Sequence, residues 1–327
     1  MKKALITGGA GFLGLHLARR LLNRGVEVEL LDDFSRGRRD ADLDVVASMP
    51  GARLRTVDLL AGEDGLGDLG DDADVVIHLA ARLGVERVSS WPRETLLDNL
   101  EMTRTALTLA ERQTDLTRFI FASTSEVYAG TLESGRLAIP TPEDSPLELA
   151  PLARPRTSYA LSKLAGEALS AWSPAPTTVV RPHNLYGPRM GRAHVVPQLL
   201  ERMVAADEGG TLEIHSAEHT RTFCFVDDAV DQVLALAESP TAVGETVNVG
   251  APEPEIRMLD LARRLRALVG KDVRLVPASP TAGSPPRRRA DLSRFVALTG
   301  RQPSRVDLDD GLARTAAWYL PRLRSGG

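Results

Sequence analysis

The 327-residue chain predicts an α/β fold, a doubly wound parallel sheet with a smaller C-terminal lobe. Three observations carry that reading. Short runs rich in Val, Ile and Leu alternate with helix patterns through the first half. The first run leads straight into a glycine-rich turn and a helix. The texture then changes after about residue 185, where helices and short strands follow in a looser order.

The strand patterns are KALIT, VEVELLD, RLRTVD, DVVIHLA and RFIFAST, with TTVVRP as a later one. The helix patterns FLGLHLARRLLNRG, ETLLDNLEMTRTALTLAERQ and SYALSKLAGEALSAW lie between them. Stretches 62–72 and 131–156 are rich in Gly, Asp and Pro and read as loops. The second is long for a connector, which suggests a functional loop. Beyond it come helix VVPQLLERMVAA, strand TLEIH, helix DDAVDQVLALAES, strand ETVNVG and helix RMLDLARRLRALVG. SPTAGSPPRRRA reads as an irregular basic loop. The chain divides into a Rossmann-type unit over 1–184 and a region over 185–327. The latter is mainly a substrate-binding lobe, with some chain returning to the main sheet.

Composition narrows the function classes. A net charge of −4 gives no global attraction to nucleic acid or to an anionic membrane. Arg287–Arg289 is the one basic run, and the acidic balance weakens a nucleic-acid reading of it. The single cysteine, Cys224, leaves no internal disulfide and fits a reducing compartment. No apolar run reaches the ~18 residues of a membrane span, and MKKALITGG has too short an apolar stretch for a signal peptide. A cytoplasmic protein with no metal site is the expectation.

ALITGGAGFLG places Gly8, Gly11 and Gly14 at the spacing G-x-x-G-x-x-G between strand and helix. One glycine suits a tight turn, one the approach of a diphosphate to backbone N–H groups, and one close helix–strand packing. Phosphates are favoured at a helix N-terminus. The next strand ends in Asp32, where a carboxylate meets an adenosine ribose. Asp32 and Asp33 repel a 2′-phosphate and so favour NAD, while Arg36 and Arg38 leave NADP open. Asp58 is placed to accept from the adenine amine or, equally, to cap a strand end.

SYALSK sets Tyr159 and Lys163 four apart on one helix face. A phenol ionises near ~10. A neighbouring ammonium favours its phenolate, which could take a hydroxyl proton while hydride leaves the same carbon. In FASTSEVYA, Thr124 can hydrogen-bond the same hydroxyl. If the backbone stays extended, Glu126 shares its side. Tyr128 reads as structural.

TGGAGFLG, HLAA, STSEVY, YALSK, RPHNLYGPRM and RTFCFVDDAV occur in this order. Together they resemble the extended short-chain dehydrogenase/reductases of the NAD-dependent sugar-nucleotide epimerase/dehydratase family. The resemblance implies that NAD is held by Gly8, Gly11, Phe12, Leu13, Gly14, Asp32, Asp58, Leu59, Leu79, Ala80, Ala81, Asn99, Tyr159 and Lys163. It implies catalysis by Thr124, Tyr159 and Lys163, with Glu126 beside them. It places a nucleotide sugar, expected to be UDP-linked, against Asn184, Val195, Arg221 and Arg288. It also implies a homodimer through the helices near 95–112 and 157–172, with Met102, Leu107, Leu164 and Ala168 along the contact.

Thr-Ser-Glu-Val-Tyr, Arg156-Thr-Ser-Tyr159 and Asn-x-Tyr-Gly-Pro-Arg-Met most resemble the UDP-glucuronate decarboxylases, or UDP-xylose synthases. Simple 4-epimerases carry small residues after the catalytic Ser or Thr, and 4,6-dehydratases carry Asp-Glu. The resemblance therefore implies a lyase that forms a C4 ketone and releases CO₂. Arg288 would seat the carboxylate, and Glu126 would supply the proton to C5, orient the sugar or hold a water. UDP-sugar 4-epimerase and dehydratase are the alternatives, with an NAD-sensing scaffold as the non-enzymatic one. Ala129, Pro182-His183 and His215-Ser216 depart from the family pattern near the sugar and nucleotide pockets.

Overall fold

The computed structural model describes residues 1–280 and 284–324. Residues 281–283, within the basic loop read from the sequence, lie outside the described residues. Seven parallel strands form the central sheet: β1 (Lys3–Thr7), β2 (Glu27–Asp32), β3 (Ala52–Thr56), β4 (Val75–His78), β5 (Arg118–Ala122), β6 (Thr177–Pro182) and β7 (Thr246–Val249). Their spatial order is β7-β6-β5-β4-β1-β2-β3. The chain runs outward from β1 to β3, returns across the sheet, and continues from β4 toward the other edge. The reversal lies between β1 and β4, and ligands of open α/β sheets bind outside the carboxyl ends of the strands at such a point.

Both faces of the sheet are covered, and the strands show why. Ala4 and Ile6 of β1 enter one buried cluster while Leu5 between them enters a second. Val75 and Ile77 of β4 oppose Val76 in the same way, and Ile120 of β5 opposes Phe119 and Phe121. Side chains alternate across a strand, so a strand buried on both sides reads as one continuous apolar run. Helices Phe12–Leu22 and Val226–Glu238 cover the first face, and helices Pro92–Glu111 and Thr157–Trp172 pack against each other on the second. Helix Thr157–Trp172 lies close to the sheet. A Cβ at Gly166 would sit 2.3 Å from Cζ of Phe121.

The chain after 185 is divided. Helix Val226–Glu238 and strand β7 return to the main sheet, with Thr246 opposite Val179. The remainder builds a lobe over the carboxyl end. Strand Thr211–His215 pairs in parallel with Arg274–Ala278, and Thr220–Arg221 pairs with both Ile256–Arg257 and Arg287–Arg288. Helices Val195–Ala205, Met258–Val269 and Leu308–Arg324 pack together beneath them.

Several expectations need correction. Stretch 62–72 opens with helix Gly62–Leu66, and 131–156 is preceded and entered by helix Ala129–Glu133. Met102 and Leu107 are buried in the second core cluster, so neither forms an outer face. Helix Ala41–Ala47 and helix Leu308–Arg324 have no counterpart in the sequence reading. Among the described residues no helix is long and apolar enough to cross a membrane, and no group of ligating side chains could hold a metal ion.

Candidate active site

A cleft of about 1450 Å³ opens above the carboxyl ends of the strands and continues under the lobe. Pockets for a single small ligand measure about 300–1,000 Å³, so this cleft exceeds what one such ligand needs. Its floor begins at the glycine loop. Gly8 has φ +69°, and a Cβ there would lie 2.8 Å from the backbone nitrogen of Ala80. A Cβ at Gly14 would lie 2.4 Å from the Gly8 carbonyl oxygen. Gly9, to which the motif spacing assigns no role, is equally constrained, because its Cβ would meet that of Leu30 at 2.7 Å. The loop thus forms a bare backbone cradle at the start of helix Phe12–Leu22, whose first N–H groups lack intrahelical partners. That cradle fits a dinucleotide diphosphate.

The residues at the end of β2 complete that half. Asp32 accepts from the backbone N–H of Ala10 at 3.0 Å and of Phe34 at 2.9 Å. Burial raises its carboxyl above the usual range, against these two hydrogen bonds. Asp33 pairs with Arg82 at 3.1 Å. Asp58 caps the turn Leu59–Ala61 and accepts from Leu60 N–H at 2.9 Å, while its neighbours Val57 and Leu59 line the cleft. Phe12, Leu13 and Leu79–Ala81 line it too. Asn99 is buried outside the cleft. Its amide accepts from Arg82 N–H at 2.7 Å and donates to the Arg82 carbonyl and to Ser162 Oγ. It therefore ties the loop after β4 to the helix that carries Tyr159.

Thr124, Glu126 and Tyr159 all face the cleft. The backbone does not stay extended past Thr124. Thr124 caps a 3₁₀ turn over Ser125–Tyr128, its Oγ accepting from Glu126 N–H at 3.2 Å. The turn, rather than strand alternation, brings Glu126 round to the same side. Tyr159 lies beside Thr124, and its phenol is raised by burial and by the charge of Glu126, with Arg36 and Thr124 opposing. Lys163 does not bond Tyr159. Its Nζ donates to the Ala122 carbonyl at 2.7 Å, and burial lowers the ammonium to about 8.

Glu126 lies between two guanidiniums, with Arg288 Nη2 3.1 Å from one oxygen and Arg156 Nε 3.2 Å from the other. Burial pushes its carboxyl up, but the two arginines outweigh that and hold it below the usual range. Asn184 and Val195 line the cleft with Arg288. Arg221 does not reach it: its guanidinium donates to Ser284 Oγ at 3.2 Å and to the carbonyls of Thr220 and Pro285. Burial and then Arg288 lower it to about 10. Tyr128 is buried, bonded to Asn248 and Arg181.

The cleft thus joins a glycine-loop cradle to Thr124, Tyr159 and the Arg288–Glu126–Arg156 cluster. The NAD dependent epimerase/dehydratase family matches residues 4–250. A UDP-N-acetyl-alpha-D-glucosaminuronate decarboxylase of Bacillus cytotoxicus is 31% identical, over 97% of this chain and 98% of its own. Among solved structures, the NDP-hexosamine 5,6-dehydratase TunA is 28% identical with a TM-score of 0.80, covering 98% of this chain and 99% of that one. A UDP-glucuronic acid 4-epimerase of Bacillus cereus, solved with UDP-glucuronic acid and NAD, is 27% identical with a TM-score of 0.81 and the same coverage. The chain belongs to the NAD-dependent epimerase/dehydratase family, whose enzymes modify sugar nucleotides, and its cofactor is NAD.

Proposed function

We propose that the protein decarboxylates a UDP-linked uronic acid, UDP-glucuronate foremost, through a 4-keto intermediate to a UDP-4-keto-pentose or UDP-xylose. The observation that carries this reading is the Arg288–Glu126–Arg156 cluster beside Tyr159. Two guanidiniums around one carboxylate make a pocket suited to a second carboxylate. The Bacillus cytotoxicus relative, named as a uronate decarboxylase, supports the same class.

Tyr159, beside Thr124, takes the proton of the C4 hydroxyl as the phenolate that the positive nicotinamide of bound NAD would favour against the burial and Glu126 charge that raise it, and bound NAD would accept the C4 hydride. The sugar carboxylate is then β to a ketone. The C5–C6 bond breaks, CO₂ leaves, and its electron pair passes into a C4 enolate. A proton from water restores C5 and gives the 4-keto-pentose with the cofactor reduced; return of the hydride to C4 and of the Tyr159 proton to its oxygen would give UDP-xylose and regenerate NAD. Arg288 seats the departing carboxylate. Glu126 keeps both guanidiniums in position and holds the water that serves C5. It is not the direct acid, because an ion-paired carboxylate with a depressed pKa is a poor proton donor.

The test is incubation of the purified enzyme with UDP-glucuronate and, in parallel, UDP-N-acetylglucosaminuronate, with products read by mass and trapped CO₂. Release of CO₂ supports the reading. Conversion of UDP-glucuronate to its C4 epimer with no CO₂ replaces it with 4-epimerisation. Loss of water from a neutral hexose or hexosamine nucleotide replaces it with dehydration.

A further inference from the structure

Segment 184–190 joins the two halves of the cleft, and its backbone is unusual. Asn184, Gly187 and Arg189 all have positive φ, at +41°, +156° and +67°. Two of these are not glycine, so the surrounding structure must hold them there. The contacts that do so come from both sides. His16, on the glycine-loop helix, meets the Pro188 carbonyl at 3.1 Å through Nε2. A carbonyl oxygen only accepts, so the ring donates that bond, and burial lowers the His16 pKa. Tyr319, on helix Leu308–Arg324, donates to the Met190 carbonyl.

Arg189 makes the densest connection. Its Nη1 donates to the carbonyls of Ala10 at 2.7 Å and Gly11 at 3.2 Å. Its Nη2 donates to the Arg38 carbonyl at 2.9 Å, and its Nε to Asp40 Oδ2 at 2.8 Å. The side chain is 7% exposed. Ala10 is thus gripped on both sides, its N–H by Asp32 and its carbonyl by Arg189. Arg189 also lines the cleft beside Ala10 and Gly11, where a fixed positive charge favours an anion.

We propose that Arg189 is a positioning residue that couples cofactor retention to occupancy of the nucleotide end of the cleft. The segment is short and pinned along its length. One end, Asn184, lines the cleft and bonds the lobe through the Thr222 carbonyl at 3.0 Å. The other end braces the glycine loop. A nucleoside diphosphate that orders the Asn184 end therefore tightens the grip at the Arg189 end. Linkage makes the effect reciprocal. The inference concerns binding alone and is independent of which sugar reaction follows.

The test follows release of NAD from the loaded protein after desalting, with and without saturating UDP. Native protein should release NAD slowly, and UDP should slow it further. Arg189→Ala should release NAD at least about tenfold faster, the scale of losing one or two buried hydrogen bonds, and UDP should no longer slow it. Arg189→Lys keeps a charge without the fork and should fall between. Native release within twofold in Arg189→Ala overturns the proposal, as does a UDP effect that survives the substitution or is missing from the native protein. If Arg189→Ala does not fold, native release and a native UDP effect in Arg189→Lys overturn it.

Discussion

Arg288 donates to Glu126 at 3.1 Å although 162 residues separate them. The lobe strand Arg287–Arg288 delivers one partner and the turn after β5 delivers the other. In the sequence each residue alone is an ordinary charge. Together with Arg156 they make an electrostatic pocket whose balance one substitution would upset.

The pair therefore separates two steps. Glu126→Ala should still reduce NAD transiently with UDP-glucuronate while CO₂ appears slowly. Arg288→Ala should weaken UDP-glucuronate more than a neutral UDP-hexose, by about tenfold or more, since a charge-assisted bond is worth ~1.5–3 kcal/mol. Stopped-flow absorbance and CO₂ trapping read the first; parallel binding titrations read the second. Equal weakening of both nucleotides would remove Arg288 as the carboxylate seat.

Tyr159→Phe removes the base yet keeps the ring. NAD should be retained, and oxidation at C4 should fall by ~10²–10⁴. Single-turnover NAD reduction checks it. Normal turnover would show that another group takes the proton.

Lys163 gives a pH signature. Its pKa falls from an ordinary 10.5 to about 8 on burial. Between these values the unfolded chain holds a proton that the folded protein has released. The folded state is therefore penalised most below about pH 8 and gains stability as pH rises through this window. The stability difference between native protein and Lys163→Met, measured by denaturant unfolding without cofactor, should shift in favour of the native lysine from pH 8 to 10. A flat difference would contradict it.

Asp32 should make the protein prefer NAD to NADP. The carboxylate already organises Ala10 and Phe34, so Asp32→Ala should weaken NAD and narrow the preference together. Titration with each cofactor decides, and equal native affinities would refute the preference.

Assembly is the fifth expectation. Helices Pro92–Glu111 and Thr157–Trp172 lie side by side, and Leu97 and Trp172 remain 55% and 80% exposed. Leu164 and Ala168 lie half-buried on the second helix. The expected species is a homodimer, disrupted by Ala168→Glu. Light scattering at micromolar concentration tests it, and a native monomer would refute it.

The sheet was legible because buried parallel strands announce themselves as apolar runs, and β1, β5 and β6 begin where KALIT, RFIFAST and TTVVRP begin. The cradle was legible because glycine at a crowded backbone is costly to replace. Helix Leu308–Arg324 was missed because arginines and aspartates punctuate its apolar stripe, which emerges only against its packing partners. Glu126 was found on the right side for an incorrect local reason. Arg221 shows the opposite failure: its motif was visible, but nothing local says that its guanidinium turns to the 284–285 backbone. Arg189 stood in a quoted motif with no assigned role, since its partners lie about 150 to 180 residues away.

The strand Arg287–Arg288 also fixes an order of events in synthesis. The cradle, Asp32 and the Thr124–Tyr159–Lys163 centre all emerge early, in the chain that builds six of the seven sheet strands. Arg189 emerges next and can brace the loop. Arg288 comes almost at the end and can dock only after its pairing partner Thr220–Arg221 is in place. A growing chain can thus present its glycine-loop cradle before Arg288 reaches Glu126, and a chain cut short before residue 288 would lack that ion pair.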